Sequence, residues 1–73
     1  MATIDVKSET TGIVKRILKF AGDPVEEDES IIILESMKME IPVVAPEAGT
    51  LSEFLVQAED AVSEGAVVAR IND

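Results

Sequence analysis

The sequence predicts an all-β fold, a sandwich or flattened barrel assembled from two similar half-domains. Two observations predict it. The stretch that begins at Gly12 aligns without a gap on the stretch that begins at Gly49, a shift of 37 residues. Short runs rich in Ile and Val also alternate with turn sequences, which is typical of antiparallel β-structure. Two halves of similar sequence are expected to pack about a pseudo-twofold axis.

The repeat covers residues 12–36 and 49–73, within a single domain that spans residues 1–73. Six aligned pairs are identical: Gly12/Gly49, Leu18/Leu55, Ala21/Ala58, Asp23/Asp60, Val25/Val62 and Glu27/Glu64. Equivalent positions of a repeat occupy equivalent environments. The Leu and Val pairs are therefore expected to be buried in the core.

Each half has the same order of elements: a β-rich segment after the glycine, a turn, an acidic stretch and an apolar strand. These are residues 12–20 and 49–57, the turns 21–24 and 58–61, the acidic residues 26–29 and their counterpart at 63–65, and the strands 31–35 and 67–71. Pro24 suits its turn, because its ring presets φ and it has no N–H for a ladder hydrogen bond.

One segment also fits a helix. Ile13, Val14, Ile17 and Leu18 stand at helical spacing, with basic residues between them. The second copy of this segment follows residues 45–49, Ala-Pro-Glu-Ala-Gly, which is turn chemistry and leaves little room for a helix to begin. The repeat therefore favours a strand in both copies.

Composition excludes several classes of function. The chain has no Cys and no His, which rules out thiolate or imidazole metal sites and Ser-His or Cys-His nucleophiles. A net charge of −9 opposes binding to nucleic acid or to anionic membranes. No apolar run is long enough to span a bilayer, and the start MATIDVKSET has no run that could serve as a secretory signal. A non-catalytic, cytoplasmic protein is expected.

The segment 37–40, Met-Lys-Met-Glu, lies between the two halves and is predicted to be a tight hairpin at one end of the sandwich. Lys38 would project from its tip, where its amine can enter the active site of a modifying enzyme. Turn tips favour Gly, Asn, Asp and Ser, so the adaptable, apolar Met37 and Met39 indicate contact with a partner. The alternative is that both are ordinary strand residues and Lys38 points the other way.

The run Glu35-Ser36-Met37-Lys38-Met39-Glu40 resembles the attachment motif of biotinyl domains, whose hallmark is Met-Lys-Met. Residues 45–51, Ala-Pro-Glu-Ala-Gly-Thr-Leu, and residues 22–25, Gly-Asp-Pro-Val, are similar to two further segments of that family. The resemblance implies a flattened β-barrel or sandwich of two four-stranded antiparallel sheets with quasi-twofold symmetry. It also implies that the modified lysine lies on a hairpin.

The resemblance further implies the site and its chemistry. Lys38 matches the lysine to which a biotin protein ligase attaches biotin, Met37 and Met39 match its flanking recognition residues, and Glu35, Ser36 and Glu40 complete the motif. Biotin on Lys38 would carry an activated carboxyl group from a biotin carboxylase to a carboxyltransferase. The sequence departs from the family pattern at two places. Ser36 stands where Ala is commoner, and Glu27-Asp28-Glu29 stands where a Gly is commoner, so Asp28 is a candidate for a positive φ.

Three alternatives remain at this stage. A lipoyl domain shares the fold and also modifies a hairpin lysine, but its usual signature has Asp before the lysine and Ala or Val after it. A dual biotin/lipoyl attachment protein would accept either group. The acidic run Glu26–Glu29 could in principle bind Ca²⁺, although it lacks the alternating ligand spacing of a calcium loop, and a solvated turn is the simpler interpretation.

Overall fold

The computed structural model describes residues 2–73, which form eight strands. They are β1 (Thr3–Lys7), β2 (Gly12–Ile17), β3 (Pro24–Val25), β4 (Ser30–Ser36), β5 (Met39–Val44), β6 (Gly49–Phe54), β7 (Ala61–Val62) and β8 (Val67–Asn72). Two four-stranded antiparallel sheets result, with strand orders β1-β8-β6-β3 and β5-β4-β2-β7. The predicted all-β fold is confirmed, and residues 13–17 form a strand rather than a helix. Within residues 2–73 no helix is long and apolar enough to cross a membrane.

The secondary structure of the two halves recurs along the chain at a constant shift of 37 residues. Strands β2 and β6, and likewise β3 and β7, begin at the same shift of 37 residues and have the same alternation of buried and exposed side chains. The repeat is longer than predicted, because β1 and residues 40–44 of β5 also match in burial at this shift. Identical residues at Ile4/Ile41 and Val6/Val43 were the available sequence signal for this extension.

The turns repeat as closely as the strands. The Asp23 carboxylate accepts the Phe20 N–H at 2.9 Å, and the Asp60 carboxylate accepts the Gln57 N–H at 2.8 Å. These aspartates hold the loops that lead from one sheet to the other. Positive φ angles fall at matched positions as well: Gly22 (97°) with Glu59 (75°), and Asp28 (67°) with Gly65 (87°). Asp28 therefore adopts the left-handed conformation for which the sequence made it a candidate.

The core lies between the sheets and is made of aliphatic side chains: Val6, Val14, Val25, Ile31, Ile32, Leu34, Val43, Ala45, Leu51, Val62, Val68, Ala69 and Ile71. The predicted burial of Val25 and Val62 is confirmed. The same prediction was wrong for Leu18 and Leu55, which are 42% and 41% exposed.

A β-bulge in each half explains the exposed leucines. The register of β2 on β4 shifts between Val14 and Arg16, and that of β6 on β8 shifts at the equivalent place. An extra residue in a strand reverses the alternation of faces beyond it. Val14 therefore faces the core, and Ile17, beyond the bulge, also packs against the core. Leu18 turns outward.

The glycines that begin β2 and β6 are required by close backbone approach. A Cβ at Gly12 would lie 2.8 Å from the Glu35 carbonyl oxygen, and one at Gly49 would lie 2.5 Å from that of Asn72. Each glycine thus lets one strand cross the end of its neighbour, and Gly12 does so immediately beside the β4–β5 hairpin.

Candidate functional site

Lys38 lies on a two-residue turn that connects β4 to β5. Ser36 pairs with Met39 as the last residues of the ladder, and Met37 and Lys38 span the tip with φ angles of 52° and 67°. Positive φ at both central residues is the pattern of a type I′ turn, which normally requires Asn-Gly or Asp-Gly. Met and Lys gain nothing from this backbone conformation, so their presence indicates a role for the side chains rather than for the turn.

The predicted hairpin of residues 37–40 is shorter in the structure. Met39 and Glu40 belong to β5, so only Met37 and Lys38 form the turn. The ladder extends to Ser36↔Met39 because the type I′ turn needs just two residues to reverse the chain. Met37 is 91% exposed and Met39 62% exposed, in agreement with the expectation that both lie at the surface. Lys38 is exposed and has no ion-pair partner within residues 2–73.

The hairpin and the ends of the described chain occupy opposite ends of the sandwich, which measures 37 × 19 × 19 Å. The Glu35↔Glu40 pair at the base of the hairpin corresponds, at the 37-residue shift, to the Asn72↔Thr3 pair. The pseudo-twofold axis therefore relates the hairpin tip to the two ends of the described chain. There the Ala2 backbone N–H donates to the Asp73 carboxylate at 2.7 Å.

Two motif acids at the base of the hairpin are bound by a lysine from another strand. Glu35 and Glu40 are direct cross-strand neighbours, an arrangement in which like charges repel. The Lys15 Nζ lies 2.7 Å from the Glu40 Oε2 and 3.8 Å from the Glu35 Oε2. The ammonium group therefore offsets the repulsion and fixes the base from which Lys38 projects.

Sequence reasoning missed Lys15. It is 25 residues from Glu40, and the ion pair depends on the pairing of β2 with β4 and of β4 with β5. The acidic run Glu26–Glu29 was the other candidate site, for Ca²⁺, that the sequence offered outside the hairpin. There the Glu29 carboxylate accepts the Glu26 N–H at 2.9 Å and binds Lys19 at 2.7 Å. Glu29 thus serves its own loop and a neighbouring lysine.

The Lys15–Glu40 pair predicts a pH dependence of hairpin order. The hydrogen bond from Lys15 and its charge lower the pKa of the Glu40 carboxyl, and the hydrogen bond to Glu40 raises the pKa of Lys15. Because folding lowers the pKa of the Glu40 carboxyl, the ion pair stabilises the hairpin above the ordinary carboxyl pKa, about 4. This stability is lost as the pH falls through the folded-state pKa of Glu40. The raised lysine pKa adds a second loss, at the alkaline end, as the pH rises through the folded-state value.

Glu40→Gln should therefore remove the acid-side loss while leaving the fold intact. Amide exchange at Met39 and Ser36, followed from pH 3 to pH 7, is the measurement: protection should drop at low pH in the parent and stay flat in the variant. The Lys15 and Glu40 side chains are about half exposed, so the effect of their ion pair on amide protection is small and should weaken in salt. A pH profile of Glu40→Gln identical to that of the parent would contradict this assignment.

A family model described as "Biotin-requiring enzyme", which covers biotin and lipoyl attachment domains, matches residues 5–71. The chain belongs to the biotin/lipoyl attachment family. An attachment domain of this family holds a cofactor covalently on a lysine and acts as a carrier; it is not itself catalytic. The two-sheet architecture, the half-domain repeat and the exposed hairpin lysine are all consistent with such a carrier.

Known proteins similar to this attachment domain include carriers of both kinds. The chain is 37% identical over 68 residues to the biotinylated protein TB7.3 homolog of Mycobacterium leprae, covering 93% of this chain and 96% of that one. It is 40% identical over 67 residues to the dihydrolipoyllysine-residue acetyltransferase component of the pyruvate dehydrogenase complex of Corynebacterium glutamicum, covering 92% of this chain and 10% of that one. The chain therefore spans only a small part of that relative.

A solved structure shows the same architecture in a carboxylase. The Kluyveromyces lactis urea carboxylase matches 99% of this chain with a TM-score of 0.92 and 33% identity, over 6% of its own length. The attachment domain is thus similar to one small segment of a large enzyme.

Proposed function

We propose that this attachment domain is a biotin carrier and that biotin is joined to Lys38 by an amide bond. The observation that carries the proposal is the turn itself: Met37 stands before the lysine and Met39 after it, both exposed at the tip. This is the Met-Lys-Met pattern of biotinyl domains, and it departs from the lipoyl signature at both neighbours. Similarity to a biotinylated protein over nearly its whole length supports the proposal.

The residues at the tip fit a covalently attached group. Acylation needs an amine that is exposed, free of a competing ion pair and mounted where a second protein can enclose it. Lys38 meets these conditions within the described chain, because its neighbours project apolar side chains and the two motif acids are bound to Lys15 instead. Glu35 and Glu40 thus stay at the base of the hairpin and leave the amine accessible.

The domain would act by presenting its cofactor, with the chemistry done by partner enzymes. Biotin supplies a ureido nitrogen that accepts a carboxyl group at one active site and releases it at another. The β4–β5 ladder supplies a rigid base for the Lys38 arm, and tethering raises the local concentration of the attached group to about millimolar for short flexible links. The proposed partners are a biotin protein ligase, a biotin carboxylase and a carboxyltransferase, and the proposed location is the cytoplasm. Similarity to a urea carboxylase supports a carboxylase partner.

Lipoyl attachment is the second candidate, because a lipoyl acyltransferase component is 40% identical to this chain. Incubation with a biotin protein ligase or with a lipoate-attaching enzyme, followed by intact mass measurement, separates the two. The biotin proposal requires one biotinyl increment with the first enzyme and little or no lipoyl increment with the second. The reverse result would establish the lipoyl carrier, and an increment with each of the two enzymes would establish a dual attachment protein.

The methionines provide a test of cofactor choice. Met37→Asp with Met39→Ala converts the turn to the lipoyl pattern, and we expect an unchanged fold, slower biotinylation and gain of lipoylation. The reason is that specificity is a difference between two affinities, and both enzymes meet similar sandwiches. Asp also tolerates positive φ better than Met does, so the melting temperature should not fall. Unfolding of the double variant would show that the methionines are needed for the fold.

A further inference from the structure

The internal repeat offers a comparison of the two outer sheet faces. Each outward position on the sheet β5-β4-β2-β7, called here the hairpin sheet, has a counterpart 37 residues away on the sheet β1-β8-β6-β3. The backbone demands at the two members of a pair are the same, since strands, bulges and turns coincide. A systematic difference in side-chain chemistry therefore reports what each face contacts.

The difference is consistent at four positions. The hairpin sheet has an apolar residue, and its counterpart is polar or charged, in the pairs Ile13/Thr50, Ile33/Arg70, Pro42/Asp5 and Val44/Lys7. Ile13 is 49% exposed, Val44 is 37% exposed and Pro42 is exposed, so these side chains are not hidden by the fold. We name this set the apolar face.

Charge pairing accentuates the difference. On the second sheet Arg70 binds Asp5 at 3.1 Å and Glu53 at 3.4 Å across the middle of the face. On the hairpin sheet the corresponding triad lies one step nearer the tip, where Lys15 binds Glu40 and Glu35. Ile33 occupies the middle of the hairpin sheet, between Pro42 and Arg16, and within residues 2–73 there is no ion pair at this place. Apolar centres with charged rims are typical of protein-docking surfaces.

The location of the apolar face specifies its partner. Ile33 lies on β4, five residues before Lys38, so the two residues are at most about 16 Å apart at the rise of a β-strand. A standard interface buries about 800 Å² on each partner, a disc of roughly 30 Å across. An enzyme that takes Lys38 into its cleft therefore also overlies the apolar face.

The net charge of the chain indicates what kind of partner the apolar face can bind. The chain has 15 acidic and 6 basic residues, so two copies repel each other, and nucleic acid or an anionic membrane is repelled as well. Glu9 and Lys7 border the depression lined by Pro42 and Val44. Glu35, Glu59 and Lys15 border the one lined by Ile13, so three acidic residues face two basic ones and the borders are acidic on balance. A partner with an apolar contact area inside a basic rim is complementary to this surface.

We propose that the apolar face of the hairpin sheet docks the ligase that acylates Lys38, through an apolar contact area with a basic rim. The proposal rests on Lys38 as the attachment residue given under the proposed function. It extends recognition from the Met-Lys-Met turn to Ile13, Ile33, Pro42 and Val44. Docking here holds the carrier while the turn enters the active site.

The test exchanges residues between the two sheets. Pro42→Asp with Val44→Lys transplants the Asp5 and Lys7 side chains onto β5 of the hairpin sheet, keeps the net charge and uses side chains that the equivalent backbone already accepts. With a purified biotin protein ligase, the KM for this variant should rise about tenfold while kcat and melting temperature stay near those of the parent. The matched control, Asp5→Ala with Arg70→Ala, changes two residues on the other sheet at constant net charge and should leave KM unchanged.

Each outcome decides the proposal. An unchanged KM for the exchange variant, or an equal rise for the control, overturns it. Should the exchange variant unfold, Ile13→Thr decides instead, because Ile13 is half-exposed and its counterpart is Thr50; a KM equal to that of the parent then overturns the proposal. If the parent gains a lipoyl group and no biotin, the proposed function fails separately. The same variants are then measured with the lipoate-attaching enzyme, and the same KM criterion applies to the apolar face.

Discussion

Replacement of Lys38 by Arg should abolish modification of the domain while leaving its fold and melting temperature unchanged. Arg keeps the positive charge and the length of the side chain, but its guanidinium stays protonated and is not a nucleophile for amide formation. Lys38 is exposed and has no ion pair within residues 2–73, so the fold loses no contact with the substitution.

The measurement is intact mass after coexpression with a biotin protein ligase. The parent should gain one biotinyl group and Lys38→Arg none. Lys15→Arg is the matched control, since it makes the same chemical change at a lysine near the hairpin base whose ammonium is bound to Glu40, and it should still be modified. A biotinyl group that persists in Lys38→Arg would place the attachment at another lysine.

Truncation of Leu51 to Ala should strongly destabilise the domain, whereas truncation of Leu55 to Ala should have little effect on stability. Leu51 is 1% exposed in the core and Leu55 is 41% exposed, although the two leucines lie on the same segment of the chain. Leu→Ala at a buried site costs about 2–5 kcal/mol, through lost burial and the cavity that remains. A single core of this size typically supplies only about 3–5 kcal/mol, so Leu51→Ala should be largely unfolded at 25 °C.

Urea unfolding of the two variants beside the parent provides the measurement. The expected result is a midpoint that falls sharply for Leu51→Ala and by a small amount for Leu55→Ala, with the same transition slope wherever a folded baseline remains. Leu18→Ala, at the equivalent position of the first half, should behave like Leu55→Ala. Comparable losses for Leu51 and Leu55 would show that the bulge does not turn Leu55 outward.

Much of the architecture could be predicted from the chain alone because the repeat makes each half a check on the other. The segment 12–17 is ambiguous by itself, but its copy at 49–54 follows turn chemistry, and both are strands. Residues 21–24 and 58–61 were predicted as turns, and the structure shows that Asp23 and Asp60 each accept a backbone N–H from three residues earlier. The candidate site followed from the same logic, since the residues left between two repeats must join them, and Lys38 is at that joint.

The errors and omissions arise where pairing between distant strands determines the result. A bulge opposite β4 decides that Ile17 packs on the core and Leu18 does not, and no local pattern distinguishes the two. The contact of Lys15 with Glu40 and the apolar face shared by β2, β4 and β5 likewise exist only once the strands are in register.

The sequence by itself determined the β-rich halves, their turns and the lysine between them. These depend on local backbone preference and on a repeat that is written in the chain. Only the tertiary structure decided which side chains face outward, which charges meet at the base of the hairpin, and that the tip lies opposite Ala2 and Asp73. The physical reason is that the face of a strand alternates with every residue, so a single bulge or register shift reassigns all side chains beyond it.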